Sequence, residues 1–126
     1  MIESCVFFSI KIKKQIIMNN EISPSTIFTF KDSVDYSENA IVSRTLIRNE
    51  AATITLFAFN KNEALSEHTA PYDALVNILD GAAEIIIDRK SYMLHSGQSI
   101  IMPANVPHAL KAIEAFKMLL IMIKAK

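Results

Sequence analysis

The chain has 126 residues, 51% of them hydrophobic, and thirteen basic side chains balance thirteen acidic ones. That is the length of one domain with enough apolar material for a core, which excludes a largely disordered chain. The balanced charge gives no general reason to bind nucleic acid or an anionic membrane, and no apolar run approaches the roughly 18–20 residues that span a bilayer.

Residues 1–17 differ in character from the rest of the chain. Glu3 precedes a short apolar run and Lys11, Lys13 and Lys14 follow it or lie at its end, the reverse of a secretory signal. Met18, followed by Asn19, Asn20 and Glu21, makes a natural start. Residues 1–17 are therefore expected to be an extension, disordered or an over-long start, with the domain in residues 18–126. An extra edge strand, or an arm packed on a partner chain, is the competing reading. The single cysteine, Cys5, cannot form an intrachain disulfide, so nothing marks an oxidising compartment and a cytoplasmic protein is expected.

From residue 26 the chain reads as short strands. Residues 26–30 form a β-branched and aromatic run, and residues 41–48 mix β formers with regularly placed polar residues. Residues 52–59 alternate, with Ile54, Leu56 and Ala58 on one face and Thr53, Thr55, Phe57 and Phe59 on the other. A turn is expected at residues 60–63, then a strand over residues 74–79 stopped by a tight turn at Asp80-Gly81. Residues 84–87 and 91–94 flank Asp88-Arg89-Lys90 as a hairpin, although no glycine is present. A turn at His95-Ser96-Gly97, a strand over residues 99–102 stopped by Pro103, and strands over residues 108–113 and 116–123 complete the domain. Many short strands with near-regular turn signals, and no amphipathic helix, predict an all-β sandwich or barrel.

Both glycines (Gly81 and Gly97), three of the four prolines and all three histidines fall between residues 68 and 112. Here the chain resembles the cupin superfamily, specifically its small single-domain members, jelly-roll barrels of two antiparallel sheets. The resemblance covers residues 40–123, with its motif core at residues 63–112 and its most specific parts at residues 76–84 and 102–108. The family's first motif, anchored on Gly81, puts its paired histidines at His68 and Ala70 and its glutamate at Ala74. The second, anchored on Gly97, falls on Pro103, on Asn105 at a glycine position, on His108, and on Ala112 at an asparagine position. The family implies three histidines and a glutamate around iron, manganese, nickel or zinc. This chain keeps His68 and His108, whereas Ala70 and Ala74 cannot be ligands. No firm cofactor is expected; the alternative is a weakly held divalent transition metal at His68 and His108, completed by substrate or water.

Strand parity puts residues 68, 70 and 74 on the interior face and turns Glu67 and Asp73 outward. Extending that face adds Val76 and Ile78, then Leu110 and Ala112, with Met102, Met118 and Met122 beside them. The expected site is an apolar pocket with two imidazoles at its polar end, suited to a small apolar or aromatic ligand. His95 is expected to be an exposed loop residue. Metal-free epimerases of the superfamily pair a histidine base with a tyrosine acid, which brings Tyr72 into view; packing at the barrel mouth is the expected role.

Three functions are implied by the resemblance: a small-molecule-binding cupin without tight metal, a metal-dependent oxygenase or isomerase-like enzyme, or a metal-free enzyme using His68 or His108 as acid or base. A homodimer is also implied. Residues 26–30 and the Thr53/Phe57/Phe59 face are candidate contacts.

Overall fold

The computed structural model describes residues 14–124. These form nine strands: β1 (Gln15–Met18), β2 (Ile41–Arg48), β3 (Ala52–Phe59), β4 (Ala64–His68), β5 (Asp73–Ile87), β6 (Lys90–His95), β7 (Ser99–Met102), β8 (His108–Lys111) and β9 (Phe116–Ile123). One sheet runs β1-β2-β3-β9-β5-β7 and the other β4-β8-β5-β6, all antiparallel except β1 against β2. The result is a curled two-sheet β structure, matching the all-β architecture expected from the strand pattern and the jelly roll implied by the family resemblance.

β5 belongs to both sheets. Residues 73–81 pair with β9, while residues 82–87 pair with β6. The expected turn at Asp80-Gly81 is absent, because the strand runs straight through it. A register shift lies between Ile78 and Asp80, and Gly81 takes φ +74°. This is a β-bulge, which bends a strand without ending it, and so carries β5 from one sheet to the next. Aspartate and glycine mark turns and bulges alike, so the local sequence does not distinguish them. The β5–β6 hairpin forms without glycine because Asp88 and Arg89 both adopt positive φ, at 50° and 67°. That is the backbone a two-residue turn needs to match strand twist.

Residues 26–30 do not form a strand. They lie in a loop that ends in a 3-10 turn at Phe30–Asp32, and Ile27 is fully exposed. They pair with no strand, and β propensity alone does not make one. At the other boundary, Gln15–Met18 pairs in parallel with residues 41–44 of β2, so the domain start expected at Met18 falls at the end of a strand. Residues 1–13 lie outside the described residues.

The alternation in β3 separates two cores. Phe57 and Phe59 point between the sheets, where Phe59 stacks on Phe116 at 4.5 Å. All three rings are fully buried, each contributing about 2–3 kcal/mol of transfer free energy. The Thr53/Phe57/Phe59 face is therefore interior and cannot be a dimer contact. Leu56 and Ala58 face the other way and pack under Val34 and Tyr36 of the preceding loop.

That loop is clamped by charge. Tyr36 Oη donates to Asp80 Oδ2 at 2.6 Å, Lys31 Nζ lies 3.6 Å from Asp80 Oδ1, and Lys117 Nζ donates to the Lys31 carbonyl at 2.6 Å. The hydrogen bond from Tyr36 holds the Asp80 carboxyl below its ordinary range, aided by Lys31 and Lys117. Burial, then the same carboxylate, pushes the Tyr36 phenol up. Among the described residues, no helix is long and apolar enough to cross a membrane.

Candidate functional site

β4 and β8 bring the two motif histidines together. His68 and His108 are direct cross-strand partners, and a register shift between Leu65 and His68 sets that pairing. On its other side, His108 is opposite Ile87 of β5. The rings meet edge to face, with centroids 4.4 Å apart and planes at 68°. Both residues are buried, at 7% and 3% exposure.

Each ring is oriented by the backbone carbonyl two residues before it. His68 Nδ1 lies 2.6 Å from the Ser66 carbonyl and His108 Nδ1 lies 3.2 Å from that of Val106. A carbonyl can only accept, so these contacts place the proton on Nδ1 and the lone pair on Nε2 in the neutral ring. Burial lowers the pKa of His68, with the Ser66 carbonyl opposing. Burial, and then repulsion from His68, takes His108 down to about 4, against the Val106 carbonyl. At neutral pH the pair is therefore two neutral imidazoles. They can accept a proton or a hydrogen bond, or donate a lone pair.

The loops that carry the motifs are stitched to each other. Asn105 N–H donates to the Ala70 carbonyl at 2.7 Å, and Ala104 N–H to Asp73 Oδ1 at 2.8 Å. Asp73 and Glu67 are exposed, as parity requires, and Asp73 has a structural role. Asn105 takes φ 63°. Asparagine is among the few residues that tolerate this, which is why it can stand at a glycine position.

A model of the cupin domain matches residues 55–124, more than half of the sequence. The chain is a cupin. Solved relatives agree. A conserved Streptococcus pyogenes protein of unknown function is 40% identical over 85% of this chain and 94% of that one, with a TM-score of 0.80. A cupin 2 conserved barrel domain protein from Leptotrichia buccalis is 42% identical over 77% of this chain and 47% of that one, at 0.75. A cupin superfamily protein from Desulfitobacterium hafniense is 28% identical over 82% and 95%, at 0.77. No curated protein matches.

Cupins often hold a metal, and the donor set here can be tested for one. Ala70 and Ala74 are buried, at 2% and 1%, so both face the interior where the family places ligands. Ala74 is flanked across the sheet by Met102 on β7 and Met122 on β9, so thioethers border the position where a carboxylate would sit. Among the described residues no three His, Cys, Asp or Glu side chains converge. Two imidazoles fall short of the three or more protein ligands of a catalytic metal centre. Among the described residues, the donors at the family's ligand positions do not fit a resident transition metal.

The other expected lining residues are all interior. Val76, Ile78, Met102, Leu110, Ala112 and Met118 are at most 2% exposed and belong to one continuous cluster. Tyr72 packs against that cluster, and His95 is exposed at the end of β6. Two concavities, of about 330 and 370 Å³, lie on the outer side near β1, β2 and the following loop, and neither is lined by the histidines.

Sequence reasoning missed Thr53. It continues the inner row Met102, Ala74, Met122, and its hydroxyl is fully buried without a hydrogen-bond partner among the described residues. A lone threonine in an alternating strand looks like any β former, so only the register reveals it. An unsatisfied buried hydroxyl costs about 1–3 kcal/mol. Thr53→Val is therefore expected to stabilise the protein by about 1 kcal/mol, raising the melting temperature by about 4–6 °C in calorimetry.

Proposed function

We propose that this cupin binds a small, uncharged, largely apolar or aromatic molecule, without a resident metal, at the His68–His108 pair. The observation that carries this reading is the buried, neutral imidazole pair, both rings oriented by backbone carbonyls beside an interior of aliphatic and thioether side chains. A neutral pair favours an uncharged hydrogen-bonding group on the ligand. The Thr53 hydroxyl offers a second polar contact, which would remove its own desolvation cost.

Screening small aromatic and aliphatic compounds by thermal shift, followed by calorimetric titration, tests the proposal. Binding that weakens at least tenfold in both His68→Ala and His108→Ala, with the fold retained, is the expected result. Near-stoichiometric iron, manganese, nickel or zinc in untagged protein, lost in the double variant, would overturn it.

One observation favours a second reading as a metal-free acid/base enzyme. The Ser66 carbonyl, 2.6 Å from His68 Nδ1, opposes the effect of burial and favours the protonated ring at that position. A base is most effective with a pKa near the working pH. In that case activity would vanish in His68→Ala and fall with acidification in the parent chain.

A further inference from the structure

The loop between β1 and β2 (residues 19–40) packs on the outer face of the larger sheet through Val34 and Tyr36. Its first half stands over β2 and β3 with a cleft of about 370 Å³ between them, a volume within the range of small-molecule sites. The loop contributes Phe28 and Phe30 to the lining, and the sheet contributes Leu46, Ile47 and Ile54. Ile47 and Ile54 are direct cross-strand partners, and Leu46 is the extra residue at the register shift between Thr45 and Ile47. Such a bulge re-aims a side chain, here towards the cleft. The Phe28 and Phe30 rings meet edge to face at 5.7 Å and remain 42% and 37% exposed. One wall is therefore aromatic, the other aliphatic, and ring surface is left uncovered.

The aromatic wall is pinned at both ends by one side chain. Arg44 on β2 donates from Nε to the Asn20 carbonyl at 3.1 Å and from Nη1 to the Ser33 carbonyl at 3.0 Å. A single guanidinium thus spans residues 21–32, and Lys117 Nζ holds the Lys31 carbonyl within that span at 2.6 Å. These bonds oppose collapse of the loop onto Ile47 and Ile54. A cleft fixed in advance lowers the ordering cost of binding.

We infer that this cleft is a second ligand site, for a small uncharged molecule carrying an aromatic ring. Among the described residues no charged side chain lines it, so an ionised ligand would lose hydration without gaining a counter-charge. A ring, in contrast, meets two aromatic side chains with offset or edge-on contact available. Ser23 and Thr26 also line the cleft and bring hydroxyls for one polar substituent. A protein partner is the wrong scale, because the lining is far smaller than the roughly 20–30 residues a side of a stable complex. The cleft lies outside the barrel and does not depend on the reading of the histidine pair.

Titration of indole into the full chain, followed by methyl carbon-13 signals, tests the inference. Saturable shifts are expected at Leu46, Ile47 and Ile54. A Phe28→Ala/Ile47→Ser chain should bind at least tenfold more weakly, read at Leu46 and Ile54. Both altered positions are exposed, and an unchanged far-ultraviolet circular dichroism spectrum confirms that the fold is kept. Indole-3-acetate, which adds a carboxylate, should bind the parent chain at least tenfold more weakly than indole. Shifts that do not saturate, shifts confined to interior residues such as Leu110, undiminished binding in the variant, or equal binding of the acetate would overturn the inference. Shifts at the cleft with none in the interior would uphold it whatever becomes of the histidine site.

Discussion

Gly81→Ala is expected to destabilise this cupin strongly. A Cβ at that position would lie 1.9 Å from the Ala115 carbonyl oxygen and 3.0 Å from Phe116 Cα, both backbone atoms that no side-chain rotation can clear. The φ of +74° adds strain of about 1–2 kcal/mol for an L-residue with a side chain. Relief of the clash requires β5 and β9 to part at the Gly81–Phe116 pair, where Phe116 stacks on Phe59 in the main core. A combined loss of about 4 kcal/mol or more is expected, against a typical net stability of about 5–15 kcal/mol. Gly97→Ala separates the causes. Gly97 also has positive φ, at +91°, but nothing lies within 4 Å of its added Cβ. It should lose only the strain, about 1–2 kcal/mol. Urea denaturation of both variants measures the difference, and equal losses would mean the close approach is not what requires glycine at position 81.

Acid is expected to destabilise the fold through the histidine pair well before the carboxylates titrate. In the unfolded chain an imidazole takes up its proton as pH falls through about 6.5. In the folded chain His108 resists until about 4. Between those values the unfolded state binds more protons, so stability is full above about pH 6.5 and falls as pH falls towards 4. Allowing for partial solvent access, the loss from His108 is on the order of 2 kcal/mol, with His68 adding in the same direction. Asp80, whose pKa is lowered, contributes stability that is lost only at still lower pH, so the two windows are distinct. Urea midpoints at pH 7.5 and 5.0 should therefore differ strongly in the parent chain and much less in His108→Gln. An equal drop in both chains would show that His108 is not the group responsible.

Much of the architecture was legible because turns and alternation are local. The face assignments in β3, the glycine-free hairpin at Asp88-Arg89, and the burial of residues 68, 70 and 74 all follow from period-two patterning and short-range turn chemistry. The failures were non-local. The run at residues 26–30 has the composition of a strand, yet it pairs with no strand and lies in a loop. Asp80-Gly81 reads as a stop, yet it is a bulge whose reason lies thirty-five residues away at Phe116. The same holds at the site. Ala70 and Ala74 could be read from motif spacing, whereas the 4.4 Å approach of the two rings and the isolated Thr53 hydroxyl depend on strand register.

β9, the last strand, is inserted between β3 and β5 in the middle of the larger sheet. During synthesis, strands β1–β3 cannot join β5 and β7 through this ladder until residues 116–123 have left the ribosome exit tunnel. The smaller sheet, with its local β5–β6 hairpin, can form earlier. Until β9 arrives, the open edges of β3 and β5 are both competent to capture another extended chain. Folding of this barrel is therefore completed only after translation of its final strand, and aggregation competes most strongly in that interval.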